Sequence, residues 1–390
     1  MTTYQITLFS NGADHLVTTL RSTILRRTGE LGIDSSHLTF LNESTVSARD
    51  MKAPLVGAYL SLTPNPSRLD SVADVVTDGN MIVPVVPDIS SFSTYVFDAL
   101  LRINGMALNL HDDPDMERIS AVLLEGLGLL RKSRRLFISY RRIETQGIAI
   151  QLYELLDEHG FDVFLDTHSV RPGEPFQDVL WHRLADTDVI VLLDSPNFLD
   201  SRWTEDELAK ANSSNVQILQ LIWPGSFLSA RTAFSRPFPL KDTDFVSGAL
   251  GKDARLDEQT AERIVTEVES LRARALAARQ TYLVRELCQQ ANSVGLIPQV
   301  QPDKSITFEP SPDRFFVAVP AVGVPDAVRY QEIEDAVQRH SKAKTDVILL
   351  YDERGIRDKW IQHLEWLNRQ KLRVRSVQVA QAAAWLSGLK

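Results

Sequence analysis

The chain of 390 residues contains a single cysteine, Cys288. That excludes an intrachain disulfide and a zinc cluster built on thiolates, and it fits a reducing, cytoplasmic setting. Basic residues are in deficit: 42 Lys and Arg stand against 51 Asp and Glu, a net charge of -9. A general nucleic-acid binder usually carries the opposite excess. No apolar run approaches the roughly 20 residues needed to cross a bilayer. The opening "MTTYQITLFSNG" lacks a basic stretch followed by a long apolar one, so no secretory signal is expected either. Short-period repeats and low-complexity tracts are also missing. What remains is 44% hydrophobic and 24% charged, the balance of a soluble globular protein. The length is too great for one ordinary core, and two or three domains are expected.

Periodicity divides the chain into three α/β segments. In residues 1–128, "YQITLFS", "SHLTFLN" and "MIVPVVP" read as strands, and "HLVTTLRSTILRRTGEL" carries apolar residues at helical spacing. An acidic cluster, "HDDPDME", precedes the helix "MERISAVLLEGLGLLRKS", where carboxylates favour the macrodipole. Residues 133–250 alternate short β-branched strands with helices of ten or more residues, the signature of parallel βαβ units. Their "DVIVLLD" is apolar almost without a break, as befits a central parallel strand covered on both faces. Residues 254–292 form a polar, Ala/Arg/Glu-rich helical stretch in which Ile264, Val268, Leu271, Ala275 and Ala278 fall near one face. It reads equally well as a connector or as a self-association surface. Residues 293–390 read as a further small α/β unit with no catalytic constellation.

In an open parallel sheet, ligands bind outside the carboxyl ends of the strands. Three loops of the middle segment meet there: "SYRRIETQG", "DTHSVRPGEPF" and "DSPNFLDSRWTEDEL". Arg141 and Arg142 offer forked donors suited to phosphate oxygens. Trp203 and Glu207 form an i, i+4 pair on one helix face, whereas Glu205 lies off that face. An aromatic surface beside a carboxylate suits a ligand with a flat ring and a sugar. Other groups point nowhere in particular. His182 and Asp186 share a helix face but have no second histidine near, so no metal is expected. Ser195 has neither a base nor a nucleophile elbow. Trp223 reads as core or rim packing, and "SNGADH" is too slight a glycine loop to mark a phosphate site.

The succession "FISYRR", "GFDVFLD", "RPGEPF" and "LADTDVIVLLDSPNFLDSRWTEDEL" resembles a Toll/interleukin-1 receptor (TIR) domain, and most closely the bacterial, NAD-cleaving members of that family. The resemblance implies a flavodoxin-like fold with a parallel sheet of about five strands, flanked here by two further small α/β domains. It implies catalysis by a glutamate within W-x-x-x-E, which "WTEDE" supplies as Glu207 after Trp203. Phe137, Ser139, Arg141, Arg142, Asp166, Phe176 and Trp203 would line the substrate pocket. Arg171, Pro172 and Gly173 would lie in the loop that drives contacts between TIR domains.

The function implied is hydrolysis of NAD⁺ at the nicotinamide–ribose bond, in a bacterial antiphage effector switched on by self-association. NAD⁺ is then a substrate, and no cofactor is implied. Two rivals stay open: a TIR enzyme that releases a cyclic ADP-ribose signal, and a scaffold without catalysis. The flanking segments are expected to bind an activating protein or nucleotide, or to hold an oligomer. Residues 1–128 are either a degenerate relative of the middle domain or a separate sensing fold.

Overall fold

The computed structural model describes residues 4–108, 116–165, 176–198, 216–226, 234–311, 314–340 and 345–388. The chain separates into two compact units, Met1–Lys132 and Ser133–Lys390.

The first unit is a five-stranded, all-parallel sheet. Its elements are β1 (Tyr4–Asn11), α1 (Asp14–Glu30), β2 (Leu38–Leu41), β3 (Leu55–Ser61), α2 (Asp70–Thr77), β4 (Met81–Val86), α3 (Phe92–Tyr95), β5 (Met106–Ala107) and α4 (Met116–Gly126). The strand order is β2-β1-β3-β4-β5. Gly12 allows the sharp exit from β1. Its φ is +75°, and a Cβ there would lie 2.1 Å from the Thr63 hydroxyl.

The second unit holds two sheets. The first contains β6 (Arg135–Ser139), α5 (Arg142–Glu158), β7 (Asp162–Leu165), α6 (Phe176–Asp186), β8 (Val189–Asp194), β9 (Gln217–Ile222) and β10 (Arg236–Pro239), followed by the long α7 (Glu258–Ser293). Its order, β10-β9-β8-β6-β7, is all parallel. Counted from its own first strand, this is the 2-1-3-4-5 order of flavodoxin-like folds, the same order as in the first unit. Side-chain alternation along each strand builds two cores. Leu136, Ile138, Val189, Val191 and Leu193 face α5 and α7. Phe137, Ile190 and Leu192 face α6, together with Phe164, Leu180 and Leu184. With both faces covered, every residue of β8 is buried.

The last sheet is mixed. It comprises β11 (Gln299–Val300), β12 (Ile306–Ser311), β13 (Arg314–Pro320), α8 (Ala327–His340), β14 (Thr345–Tyr351), α9 (Asp358–Asn368), β15 (Val374–Gln378) and α10 (Ala382–Ser387). The strands run in sequence order; the pairs β11–β12 and β12–β13 are antiparallel and the rest parallel.

The stretch expected to be a connector or a self-association surface is built into both cores. Helix α7 has 36 residues, capped by the Asp257 side chain on Thr260 N–H at 3.0 Å. At 1.5 Å per residue it is about 54 Å long. Ala261, Ile264, Val265, Val268 and Leu271 pack on the parallel sheet. Leu283, Leu287 and Ala291 pack on the mixed one. Helix α6 is also gripped by the segment that carries the mixed sheet. Val324 N–H donates to Asp186 Oδ1 at 3.1 Å. The His182 and Trp360 rings lie 5.5 Å apart. Gly355 sits at φ +81°, where a Cβ would come within 3.1 Å of the Trp181 carbonyl. Among the described residues, no helix is long and apolar enough to cross a membrane.

Candidate active site

The carboxyl edge of the parallel sheet is reached by the loops after β6, β8 and β9. Ser139 ends β6. It is wholly buried, and its hydroxyl has no hydrogen-bond partner among the described residues. Phe137 lies behind it in the α6-side core, stacked on Phe164 with centroids 5.4 Å apart. Phe137 is itself wholly buried.

Arg141 is the N-cap of α5, and the exposed Arg142 opens the helix. The first turn is set apart from the rest by Thr145, whose φ of -136° and ψ of 23° interrupt the helix. Gly147 permits the close approach that holds this turn. Its N–H donates to the Lys252 carbonyl at 2.8 Å, and a Cβ would stand 2.5 Å from the Ala254 carbonyl. Glu144 consequently projects toward the loop after β8. Its Oε1 accepts from Arg141 Nη1 at 2.8 Å and from Asn197 Nδ2 at 2.8 Å, and its Oε2 accepts from the Ser195 hydroxyl. Arg141 Nη1 also donates to the Asn197 carbonyl at 3.0 Å. Burial alone would raise the Glu144 pKa. The hydrogen bonds from Ser195 and Asn197 and the Arg141 charge outweigh it, and the carboxyl is held below its ordinary value. It is an ionised acceptor whose lone pairs are largely engaged.

Asp194, at the end of β8, is the counterpart. It is 4% exposed, and its Oδ2 accepts from Gln220 Nε2 at 2.6 Å. The Gln220 carbonyl oxygen in turn accepts from the Ser235 hydroxyl. Burial pushes the Asp194 pKa up, and the Gln220 bond only partly offsets it.

The Trp223 backbone N–H donates to the Asp194 carbonyl at 3.1 Å, and its buried ring meets Phe245 edge-on as core packing. His182, Asp186 and Asp188 diverge: His182 meets Trp360, Asp186 takes the Val324 N–H, and Asp188 pairs with Arg272. Asp166, Arg171, Pro172, Gly173, Trp203 and Glu207 lie outside the described residues, as does the side chain of Phe176 at the start of α6. Of the expected pocket residues, the structure therefore gathers Ser139, Arg141 and Arg142 at one edge and sets Phe137 below them.

Sequence reasoning passed over Glu144, Asn197, Asp194 and Gln220. Glu144 did leave a trace, since it stands three residues after Arg141 at a helix start, the spacing of an ion pair. Asp194 left one as the charged end of an apolar run.

An all-parallel five-stranded sheet in this order, with its polar groups gathered at the carboxyl edge, defines a flavodoxin-like α/β domain. Residues 136–238 match the family model of the TIR domain, and the chain carries a TIR domain there. Over 88 residues the chain is 31% identical to a Brachypodium distachyon protein described as a probable 2′ cyclic ADP-D-ribose synthase, BdTIR. The match takes in 22% of this chain and 39% of the length of that relative. Among solved structures, the C-terminal domain of glucosamine-fructose-6-phosphate aminotransferase from Francisella tularensis overlaps 71% of this chain and 85% of its own, at 11% identity and a TM-score of 0.22. A periplasmic ribose ABC transporter from Conexibacter woesei overlaps 58% and 74%, at 10% identity and a TM-score of 0.17. Overlaps this slight have no bearing on function.

Proposed function

We propose that the TIR domain cleaves NAD⁺ at the nicotinamide–ribose bond, releasing nicotinamide and, after attack by water, ADP-ribose and a proton. The observation that carries this reading is the "WTEDE" pattern, Trp203 to Glu207, inside a matched TIR domain whose relative is described as a cyclic ADP-ribose synthase. Rupture of the bond passes through an oxocarbenium-like state. A carboxylate close to the ribose, assigned here to Glu207, holds its hydroxyls and stabilises the developing positive charge. The pyridinium nitrogen leaves with its bonding electrons as a neutral ring, so one carboxylate suffices where glycosidases use two. Trp203 would flank the ring, and Arg141 and Arg142 the phosphates, with Ser139, Asp166 and Phe176 completing the pocket.

The relative's description favours a second reading, in which the same bond breaks and a nucleophile within the substrate closes a cyclic ADP-ribose. In either case residues 171–173 are assigned to self-association, and residues 1–128 and 293–390 to regulation or partner binding. The setting proposed is a cytoplasmic antiphage effector.

Incubation of the full-length chain with NAD⁺, followed by chromatography of the products, separates hydrolase, cyclase and scaffold. Glu207→Gln should abolish cleavage without shifting the melting midpoint. Wild-type-like cleavage by that variant would remove Glu207 from the chemistry, and absence of any product from the wild-type chain would leave the scaffold.

A further inference from the structure

The TIR sheet reverses its strand order between β6 and β8, where the chain crosses over from β7. Crevices of this kind take the ligand in open parallel sheets, and their walls are the loops after the two strands concerned. Here a single carboxylate spans both walls. We propose that Glu144 is a positioning residue for the NAD⁺-cleaving site: it ties the loop after β6, with Arg141, to the turn Ser195–Asn197 after β8, and so fixes the width of the crevice and the direction of the Arg141 guanidinium. The inference rests on the reading of the preceding section and adds a residue to it.

The geometry is specific. Three donors from two loops converge on one side chain: Arg141 Nη1 at 2.8 Å, Asn197 Nδ2 at 2.8 Å and the Ser195 hydroxyl. The contact is closed into a ring by Arg141, which also donates to the Asn197 carbonyl at 3.0 Å. Hydrogen bonds to an ionised acceptor are the shorter and stronger kind. The break at Thr145 confines Glu144 to a separate first turn, itself held by Gly147 on Lys252. The Ser139 hydroxyl, buried at the same strand end without a partner among the described residues, leaves a polar atom there for a ligand to meet. With its oxygens committed to three donors, Glu144 is unsuited to proton transfer. It acts through Arg141 and through the turn Ser195–Asn197.

An ordinary helix-start carboxylate would affect stability alone, so the test separates the two roles. Full-length Glu144→Ala, Glu144→Gln, Asn197→Ala and the Glu144→Ala/Asn197→Ala pair would be compared for NAD⁺ cleavage, thermal melting and exchange of the Ser195, Asn197 and Phe198 amides. Glu144→Ala should lower kcat/KM by about ten- to a hundredfold, the range of a lost charged hydrogen bond; the melting midpoint falls with the lost bonds, but the chain stays folded at the assay temperature. Glu144→Gln keeps one acceptor oxygen and should fall between. The double variant should fall no further than Glu144→Ala, because both changes cut the same tie. Exchange of the Ser195, Asn197 and Phe198 amides should quicken in Glu144→Ala. Wild-type kinetics in Glu144→Ala, a loss of activity that tracks a loss of folded protein, or additive losses in the double variant would each overturn the proposal. The parent reading fails by a different sign: the wild-type chain leaves NAD⁺ intact before any variant is made.

Discussion

Arg272 Nε stands 3.1 Å from Asp188 Oδ2, and neither side chain retains exposed surface. The same carboxylate oxygen takes the Arg135 backbone N–H at 3.2 Å. One turn before Arg272, Glu269 pairs with Arg134, and farther along α7 Arg279 donates to the Thr187 carbonyl at 2.9 Å and to that of Ala185. Charge is expensive to bury and persists only where several hydrogen bonds share it. These contacts fasten α7 across the amino edge of the TIR sheet, opposite the edge that carries Ser139 and Glu144. The helix then continues into the core of the mixed sheet.

Removal of Arg272 should be among the most destabilising single changes in the chain. Arg272→Met leaves Asp188 charged and buried, at a cost of about 3–5 kcal/mol. Adding Asp188→Asn removes that charge while keeping an acceptor for the Arg135 N–H, and should restore part of the loss. Urea unfolding of the three proteins measures this. A loss below about 1 kcal/mol for Arg272→Met would show that the pair contributes no more than a surface contact.

The fragment 133–250 contains the whole TIR sheet but should not fold by itself. It lacks Ile264, Val265, Val268 and Leu271, which cover one face of that sheet. Each buried side chain of this size is worth about 1.5–3 kcal/mol, and four together rival the roughly 5–15 kcal/mol that holds a domain. A fragment 133–281, which ends before Leu283, should melt cooperatively. A cooperative transition in 133–250 would show that α7 is dispensable to the TIR core.

The Asp194 carboxyl should make the protein less stable as pH rises through its titration. Burial lifts its folded pKa above the ordinary 3.8 by more than the Gln220 bond lowers it. Its contribution is therefore complete below the ordinary value and is lost as pH climbs through the raised one. Glu144 has the opposite sign: its folded pKa is lowered, so its contribution is present above the ordinary glutamate value and fades as pH falls through the lowered one. Asp194→Asn mimics the neutral acid and still accepts from Gln220. The variant should melt higher than wild type at about pH 7 and lose that advantage near pH 3. An advantage that does not change with pH would rule out the carboxyl as its source.

Much of the middle domain was legible. "DVIVLLD" reads as a central strand because both faces of β8 are covered, which removes the polar alternation. The arginines after "FISY" mark the carboxyl edge of β6, as expected, and the structure adds what sequence did not show: one Arg141 nitrogen is already engaged by Glu144 and the Asn197 carbonyl. The antiparallel turn from β12 into β13 was harder to see, since short strands of either direction share the same alternation.

The sequence by itself determined the local quantities: the strand and helix periods, the carboxyl-edge loops and the TIR pattern that ends in Trp203 and Glu207. These depend on neighbours a few residues apart, so the order of residues suffices to reveal them. Only the tertiary structure decided that α7 serves two cores, that Arg272 meets Asp188 across 84 positions of chain, and that Glu144 reaches across 51 to Ser195. Such pairings follow from which strands lie side by side, and hydrophobic periodicity carries no information about strand order.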